Sequence, residues 1–264
     1  MLEKKYQTLL GMLQSLGNVA VAFSGGVDSA FLLRAAKEAL GEQVMAITAQ
    51  SPAFPESEAR DAQEFCECYG IRQITFSFDS LKIPEFRSNP RDRCYHCKKA
   101  LLTEMRLLIT ENGFDTLAEG SNMDDTGDYR PGMRAITELG IISPLKEAGF
   151  FKEEIRALSR SLGLSTADKP SYACLATRIP YGDEITREKL GRIEQAERLL
   201  HELGFRQARV RVHETLARIE IMPEQFEKIM QSDIREKITR QMKAYGFSYV
   251  SLDLQGYRTG SMNN

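Results

Sequence analysis

The sequence has no tryptophan, only 3 histidines and 5 cysteines among 264 residues, and no surplus of either charge, with 35 Lys plus Arg against 37 Asp plus Glu. Each shortage excludes something. Five cysteines are too few to staple a chain of this length, so the thiols read as ligands, nucleophiles or core residues in a reducing compartment. With His96, His201 and His213 as the whole histidine complement and no G-x-S-x-G elbow, a serine-hydrolase triad has no support. No apolar run approaches the roughly 20 residues that cross a bilayer. The opening stretch is charged and amphipathic, without the apolar region of a signal peptide. A cytoplasmic protein with no membrane partner is therefore expected. Residues 1–170 carry 20 basic and 24 acidic side chains and residues 171–264 carry 15 and 13, so neither part has the basic excess of a strong nucleic-acid binder. What remains is globular: 42% hydrophobic and 27% charged residues supply a core and a solvated surface, in a length that suits two modest domains.

Apolar spacing organises the chain. Tyr6, Leu9, Leu10 and Leu13 recur at helical period, and Gly17-Asn18 stops that helix before a short apolar strand, Val19 to Phe23. Helix, strand and helix follow at 30–40, 44–49 and 56–69, then a strand at 74–78, a helix at 98–112, a strand at 116–119 and a helix at 152–162. Strands alternating with helices imply an α/β fold, an open parallel sheet covered on both faces. Prolines, glycine and small residues between Ser165 and Asp183 mark a loop, and we place a domain boundary near Lys169, giving domains 1–169 and 170–264. Beyond it, a helix at 186–203 with Leu190, Ile193, Ala196, Glu197 and Leu200 on its period precedes two alternating strands. In the first, Val210 and Val212 face one side and Arg209, Arg211 and His213 the other. One helix over 223–245 and a strand over 249–254 complete a smaller α+β unit.

The sharpest local signal is Ser24-Gly25-Gly26-Val27-Asp28-Ser29 between a strand and a helix, a context that aims backbone N–H groups and a positive helix end at an anion. Gly25 and Gly26 allow close backbone approach, and Ser24 and Ser29 offer hydroxyls. Asp28 is anomalous there unless it caps the helix or holds a metal ion that phosphates also bind. No G-x-x-x-x-G-K-[ST] is present. An ordinary Gly-rich turn capped by Asp28 or Ser29 is the bland alternative.

These residues resemble the signature of the PP-loop ATP pyrophosphatases, which cleave ATP between its α- and β-phosphates. The resemblance implies that Ser24, Gly25, Gly26, Asp28 and Ser29 grip pyrophosphate, with Ala49 and Ser51 near the adenine. The segments GSNMDDTGDYRPG (120–132), PSYACLATRIPYG (170–182), ARVRVH (208–213) and YVSLDLQGYRTGSMN (249–263) are together similar to the LarE sulfur transferases, which serve the nickel-pincer nucleotide cofactor of lactate racemase. This resemblance spans nearly the whole chain. It implies adenylation of the carboxylates of pyridinium-3,5-biscarboxylic acid mononucleotide, conversion to thiocarboxylates, a homo-oligomer, an unidentified sulfur donor and a sulfur-bearing Cys174.

Cys94 and Cys97 form a C-x-x-C, and Cys174 sits in the Ser165–Asp183 loop. Three thiolates can hold a [4Fe-4S] cluster with one iron open, the arrangement implied by resemblance to the cluster-bearing LarE branch. A Cys3His zinc site using His96 or His213, and a redox dithiol, stay open as readings. Cys66 and Cys68 read as structural. Arg209 and Arg211, with Arg178 near Cys174 and Arg258 in the C-terminal signature, are candidates for a substrate phosphate, a solvated sheet face being the plainer account of the strand pair. Asp125 and Asp128 flank a Gly-rich turn and could support Mg²⁺ or orient ATP. Lys98 and Lys152 fall at expected helix starts, where a cation opposes the helix dipole unless an anion is near. The enzyme rival is a PP-loop tRNA thiolase, and the non-catalytic rival is an ATP-binding iron-sulfur carrier or regulator.

Overall fold

The structure, a computed structural model, describes residues 2–126, 131–170 and 173–258. In chain order the elements are α1 (Leu2–Ser15), β1 (Val19–Ala22), α2 (Val27–Leu40), β2 (Val44–Gln50), α3 (Glu56–Cys68), β3 (Arg72–Ser77), α4 (Pro84–Arg87), α5 (Arg93–Glu111) and β4 (Leu117–Ala118). They continue with α6 (Gly132–Glu138), α7 (Pro144–Glu147), α8 (Lys152–Ser161), α9 (Arg187–Glu202), β5 (Ala208–His213), β6 (Leu216–Ile221), α10 (Phe226–Met230), α11 (Ser232–Ala244) and β7 (Tyr249–Leu252). Two compact units result. One comprises Met1–Ser51, Glu56–Asp79 and Asp92–Tyr172; the other comprises Pro52–Pro55, Ser80–Arg91 and Ala173–Asn264. The second unit thus gathers two short segments from within the first 169 residues. Among the described residues, no helix is long and apolar enough to cross a membrane.

The first unit is an open parallel sheet in the order β3-β2-β1-β4. Side-chain alternation explains its burial on both faces. Val19, Val21, Val44 and Ala46 point to one side, into a core with Leu9, Leu13, Phe31, Leu32 and Phe150. Ala20, Met45 and Ile47 point to the other, against Leu102, Met105 and Ile109 of α5. Two-sided burial is why these strands read as continuous apolar runs. The chain winds outward from β1 to β3 and then crosses back to β4 on the far side of β1, so the order reverses between β1 and β4. A crevice opens beyond the carboxyl ends of strands at such a reversal. Val19 to Phe23 leads directly into the Gly-rich turn at that point.

The second unit is a three-stranded sheet, β5-β6 antiparallel and β6-β7 parallel, with α9 packed on β5. It corrects two sequence expectations. The single helix over 223–245 is broken: Gln231 adopts ψ 135°, separating α10 from α11. The solvated sheet face does not exist, because Arg209 and Arg211 are 3% and 5% exposed. Charge pairing makes that burial tolerable. Arg211 and Arg218 stand opposite each other across the strands, a repulsive register on its own. The buried Glu220 carboxylate accepts from Arg211 Nη2 at 2.8 Å and from Arg218 Nη2 at 3.2 Å, and Asp253 accepts from Arg218 Nη1 at 2.9 Å.

Arg178 and Glu197 form a second buried pair, with Nε and Nη2 donating to the two carboxylate oxygens at 2.8 Å each. Val210 N also donates to Glu197, at 3.0 Å. Burial pushes the Glu197 carboxyl upward, but Arg178 overrides it and holds that carboxyl below its ordinary range. A depressed acid stabilises the fold fully above the unfolded value of about 4.3, and that contribution is lost as pH falls through the folded value. Glu197→Gln, which strands a buried guanidinium, is expected to cost about 3–5 kcal/mol in urea titrations at neutral pH. The double change Arg178→Met with Glu197→Leu should recover most of that loss, and the acid sensitivity contributed by Glu197 should vanish in both variants.

Candidate active site

The turn after β1 is shaped by its own hydroxyls. Ser24 Oγ and Ser29 Oγ lie 3.2 Å apart, Gly26 N donates to Ser24 Oγ at 3.4 Å, and Ser29 Oγ donates to Gly26 O at 3.1 Å. Gly25 has φ +73°, the left-handed region, and a Cβ there would meet Glu58 O at 3.1 Å. Gly26 is the N-cap of α2 and brings no side-chain acceptor to its first turn. Those N–H groups and the positive helix end face the crevice, the arrangement that binds anions. The bland alternative, a turn capped by Asp28 or Ser29, is not what forms.

Asp28 instead lies in the first turn of α2, half-buried among partners distant in sequence. It accepts from Lys152 Nζ, at the first residue of α8, and from Asn122 Nδ2 at 3.3 Å. Burial pushes its carboxyl up, Lys152 opposes that, and Asp125 adds like charge that raises it further. Asp125 Oδ2 accepts from Asn122 N at 2.9 Å, so the two carboxylates flank one asparagine. Asp128, the other acid expected here, lies outside the described residues. Lys152 does stand at a helix start, and Asp28 is the anion that compensates it. Lys98 does not, because α5 begins at Arg93; it reaches Glu119 at 3.3 Å. Ala49, half-buried, pairs with Phe76 near the end of β2, and Ser51 follows that strand.

A third group of contacts braces the loop from behind. Lys169 Nζ donates to Gly25 O at 3.1 Å and to Asp61 Oδ2 at 2.7 Å, and pairs with Glu58 Oε1 at 3.3 Å. Its side chain is 13% exposed. Burial raises the Glu58 carboxyl, with Lys169 pulling it back.

Cys94 and Cys97 occupy the first turns of α5, at the i, i+3 spacing that shares a helix face. Cys94 is exposed and Cys97 half-buried. Between them Tyr95 is pinned to α6: its hydroxyl donates to Glu138 at 2.8 Å, and the Arg134 guanidinium lies 3.5 Å from its ring centroid. His96 approaches Asp92 at 3.3 Å. In the second unit Cys174, half-buried, precedes a 3-10 turn at Leu175–Arg178. Among the described residues, no three His, Cys, Asp or Glu side chains are gathered as a metal cage. Cys66 is buried, and burial pushes its thiol up to about 12, which suits a core residue. Cys68 is exposed.

The arginines divide. The expectation that Arg178 meets a substrate phosphate is corrected, because its guanidinium is fully buried and committed internally. Besides Glu197 it donates from Nη1 to Ala173 O at 2.8 Å, Cys174 O at 3.2 Å and Thr177 Oγ1 at 2.8 Å. That guanidinium fixes the backbone of the cysteine turn. Arg211 Nη1 donates to Thr177 O at 3.1 Å, joining β5 to the same turn, and Arg209 lies 5.4 Å from the Tyr257 ring centroid. Arg258 is exposed.

A family model for NAD synthase matches residues 4–92, the part that contains the anion loop. An uncharacterized protein of Synechocystis, slr1717, is 41% identical over 100% of this chain and 98% of its own. Pyridinium-3,5-bisthiocarboxylic acid mononucleotide synthase of Lactiplantibacillus plantarum is 36% identical over 100% of this chain and 95% of its own length. The chain belongs to this synthase family, the LarE enzymes. The glutamine-hydrolyzing GMP synthase of Leifsonia xyli is 24% identical over 70% of this chain and 42% of its own length. For a LarE family member, the PP-loop motif and the parallel sheet around it are accounted for together.

Sequence reasoning missed several residues that this LarE family chain brings to the crevice. Glu119, at the end of β4, accepts from Ser121 N at 3.1 Å, Ser121 Oγ at 2.8 Å and Ser143 Oγ at 2.6 Å. A carboxylate directly after an apolar strand was the available signal. Gly120 was the other: a Cβ there would lie 3.0 Å from Ser29 N, 3.2 Å from Ser29 Cα and 3.3 Å from Asp28 C. Those neighbours are backbone and cannot swing aside. Gly120→Ala is expected to destabilise the fold by about 1–3 kcal/mol and to weaken ATP binding, measured by urea titration and calorimetry. Unchanged values in both would show that the loop does not depend on this contact.

Proposed function

We propose that this protein is a cytoplasmic ATP-dependent sulfur transferase that converts pyridinium-3,5-biscarboxylic acid mononucleotide to its thiocarboxylate form, in the synthesis of the nickel-pincer nucleotide of lactate racemase. The observation that carries the reading is the anion loop at the sheet reversal, with two carboxylates beside it, in a chain similar end to end to a bisthiocarboxylate synthase. A carboxylate oxygen is a poor leaving group. In this reading a substrate carboxylate attacks the α-phosphorus of ATP, pyrophosphate departs, and a sulfur nucleophile then displaces AMP from the acyl adenylate.

The residues take roles accordingly. Ser24, Gly25, Gly26 and Ser29 hold the departing pyrophosphate through N–H groups and hydroxyls. Ala49 and Ser51 border the adenine. Asp28 and Asp125 are hard oxygen donors, and Mg²⁺ is commonly held by one or two carboxylates plus phosphates, so the pair fits that ion. Lys152, paired with Asp28, would be placed to offer its ammonium to the pyrophosphate, and Mg²⁺, if held by Asp28 and Asp125, would supply positive charge to the phosphates. Cys94, Cys97 and Cys174 are the ligands assigned to a [4Fe-4S] cluster, which when bound supplies an open iron for sulfide. Cys174 is the sulfur-bearing cysteine in this reading. Arg209, Arg211 and Arg258 are assigned to the substrate's phosphate. In this reading residues 1–169 supply most of the ATP-splitting domain and 170–264 most of the substrate and assembly domain of a homo-oligomer, with a small-molecule nucleotide as partner and no nucleic acid.

The test is a single incubation of anaerobically purified protein with substrate, MgATP and a sulfide source. AMP, pyrophosphate and thiocarboxylate are expected in step, and ADP in place of AMP overturns the reading. Iron and acid-labile sulfide should be present in the native protein and lost from Cys94→Ala, Cys97→Ala and Cys174→Ala. Iron-free native protein that yields at most one sulfur per chain would instead make Cys174 the sacrificed donor. Protons compete with Mg²⁺ for the raised Asp28 carboxyl, so AMP formation should fall on acidification, and Asp28→Asn should lower it by about a hundredfold at neutral pH.

A further inference from the structure

Two consecutive glycines let the anion loop approach a ligand closely, and they also let its backbone turn the wrong way. Gly25 sits at φ +73°, and a Cβ there would lie 3.1 Å from Glu58 O and 3.5 Å from Ala62 N, both backbone atoms of α3. Gly26 follows at φ −82° and ψ 165°. Rotating the peptide unit between them by half a turn carries Gly26 to positive φ, a region that glycine enters readily and other residues do not. A trans peptide carries its C=O and N–H on opposite sides. Reversal would therefore put a carbonyl oxygen where the anion needs a donor.

The structure shows one orientation, with a partner on each side of the peptide. Gly26 N donates to Ser24 Oγ at 3.4 Å, beside Ser29 Oγ, so the donor faces the two hydroxyls. Gly25 O accepts from Lys169 Nζ at 3.1 Å. That carbonyl lies outside the ladder of α2, which begins with Gly26 O accepting from Ala30 N at 2.9 Å. Lys169 is in turn held on α3, by Asp61 Oδ2 at 2.7 Å and Glu58 Oε1 at 3.3 Å. Arg156 of α8 fixes its main chain, donating to Lys169 O at 2.9 Å and to Ala167 O at 2.6 Å. All of these groups belong to the first unit.

We propose that Lys169 is a positioning residue that locks the Gly25–Gly26 peptide with its carbonyl toward α3 and its N–H toward the bound phosphates. It acts through the Gly26 N–H and touches no ligand itself. Two carboxylates within 3.3 Å keep the ammonium charged and in place. Without it, part of the population takes the reversed peptide, and affinity for phosphate falls with the fraction that remains competent. The effect is confined to the phosphates the loop grips.

This inference rests on the anion loop being the ATP site, and the experiment separates the two. Calorimetry on the full-length protein measures the binding of magnesium pyrophosphate and, separately, of AMP. The native protein should bind both. Lys169→Met should bind pyrophosphate about tenfold more weakly with AMP affinity unchanged, and Lys169→Arg should regain most of the loss. Asp61→Asn tells positioning from mere charge. Removing that carboxylate would tighten an anion if net charge were all that mattered; a loosened Lys169 instead weakens pyrophosphate by about two- to threefold. Native pyrophosphate affinity in Lys169→Met overturns the inference, and so does an equal loss of pyrophosphate and AMP. Tighter pyrophosphate binding by Asp61→Asn overturns it as well. No pyrophosphate binding by the native protein overturns the ATP-site reading itself. Should Lys169→Met fail to fold, Asp61→Asn decides: an undiminished pyrophosphate affinity overturns the inference.

Discussion

The backbone contact between Gly120 and the first turn of α2 sets how closely the ends of β1 and β4 approach, and most of the first unit's polar architecture is arranged around that distance. With no Cβ at 120, the segment after β4 lies directly on Ser29. Asn122 then reaches Asp28, and Asp125 is held over Asn122 N. Any side chain at 120 would push these groups outward together. The two faces of the sheet supply the rigidity behind this, with aromatic and aliphatic packing on one side and α5 on the other. A loop that must present N–H groups to an anion without rearranging benefits from such a scaffold.

The second unit solves a different problem, burying three arginines, with a fourth half-buried beside them. Arg178, Arg211 and Arg218 have Glu197, Glu220 and Asp253 as acceptors, and Arg209 donates to Ala208 O beside the Tyr257 ring. Main-chain oxygens take further donors, including those of Cys174 and Thr177. Burial and the Arg178 charge pull the Arg209 guanidinium below its usual range, a sign that positive charge is crowded there. Crowding of this kind strengthens the response to an incoming anion, because each partner in a low-dielectric setting acts with little screening.

The sheet and its connecting helices were legible because two-sided burial makes strands apolar throughout and helices periodic, as in Val44 to Ala49 and in Leu9, Leu10 and Leu13. Helices α4, α6 and α7 were not, since four to seven residues do not complete enough turns to display a period. The start of α5 escaped for a related reason: its first turns carry Arg93, Cys94, His96 and Cys97, which have no apolar rhythm. Glu197 falls on the apolar line of α9 and is buried there; what the sequence concealed was its partner, Arg178, in a loop. Asn122 and Lys152 illustrate the limit best. Their meaning comes from Asp28, 94 and 124 residues away, and spacing along a chain carries no trace of such a meeting.

The second unit's dependence on Pro52–Pro55 and Ser80–Arg91 has a consequence for how this chain can be cut or recombined. Asn89, buried at φ 57°, donates from Nδ2 to Pro180 O at 2.6 Å and Asp183 O at 3.0 Å, and Ala53 O accepts from Leu175 N at 2.9 Å. The turn that carries Cys174 is thus pinned by residues that arrive before α5. Expressed from Ala173 onward, the arginine-rich sheet would lack the peptide groups that shape its cysteine turn. The chain passes between the two units five times, so neither can be exchanged with a homologue's as a cassette. Grafts between relatives would have to carry all three pieces of the second unit together, and inheritance of the two units is coupled by the path of the backbone itself.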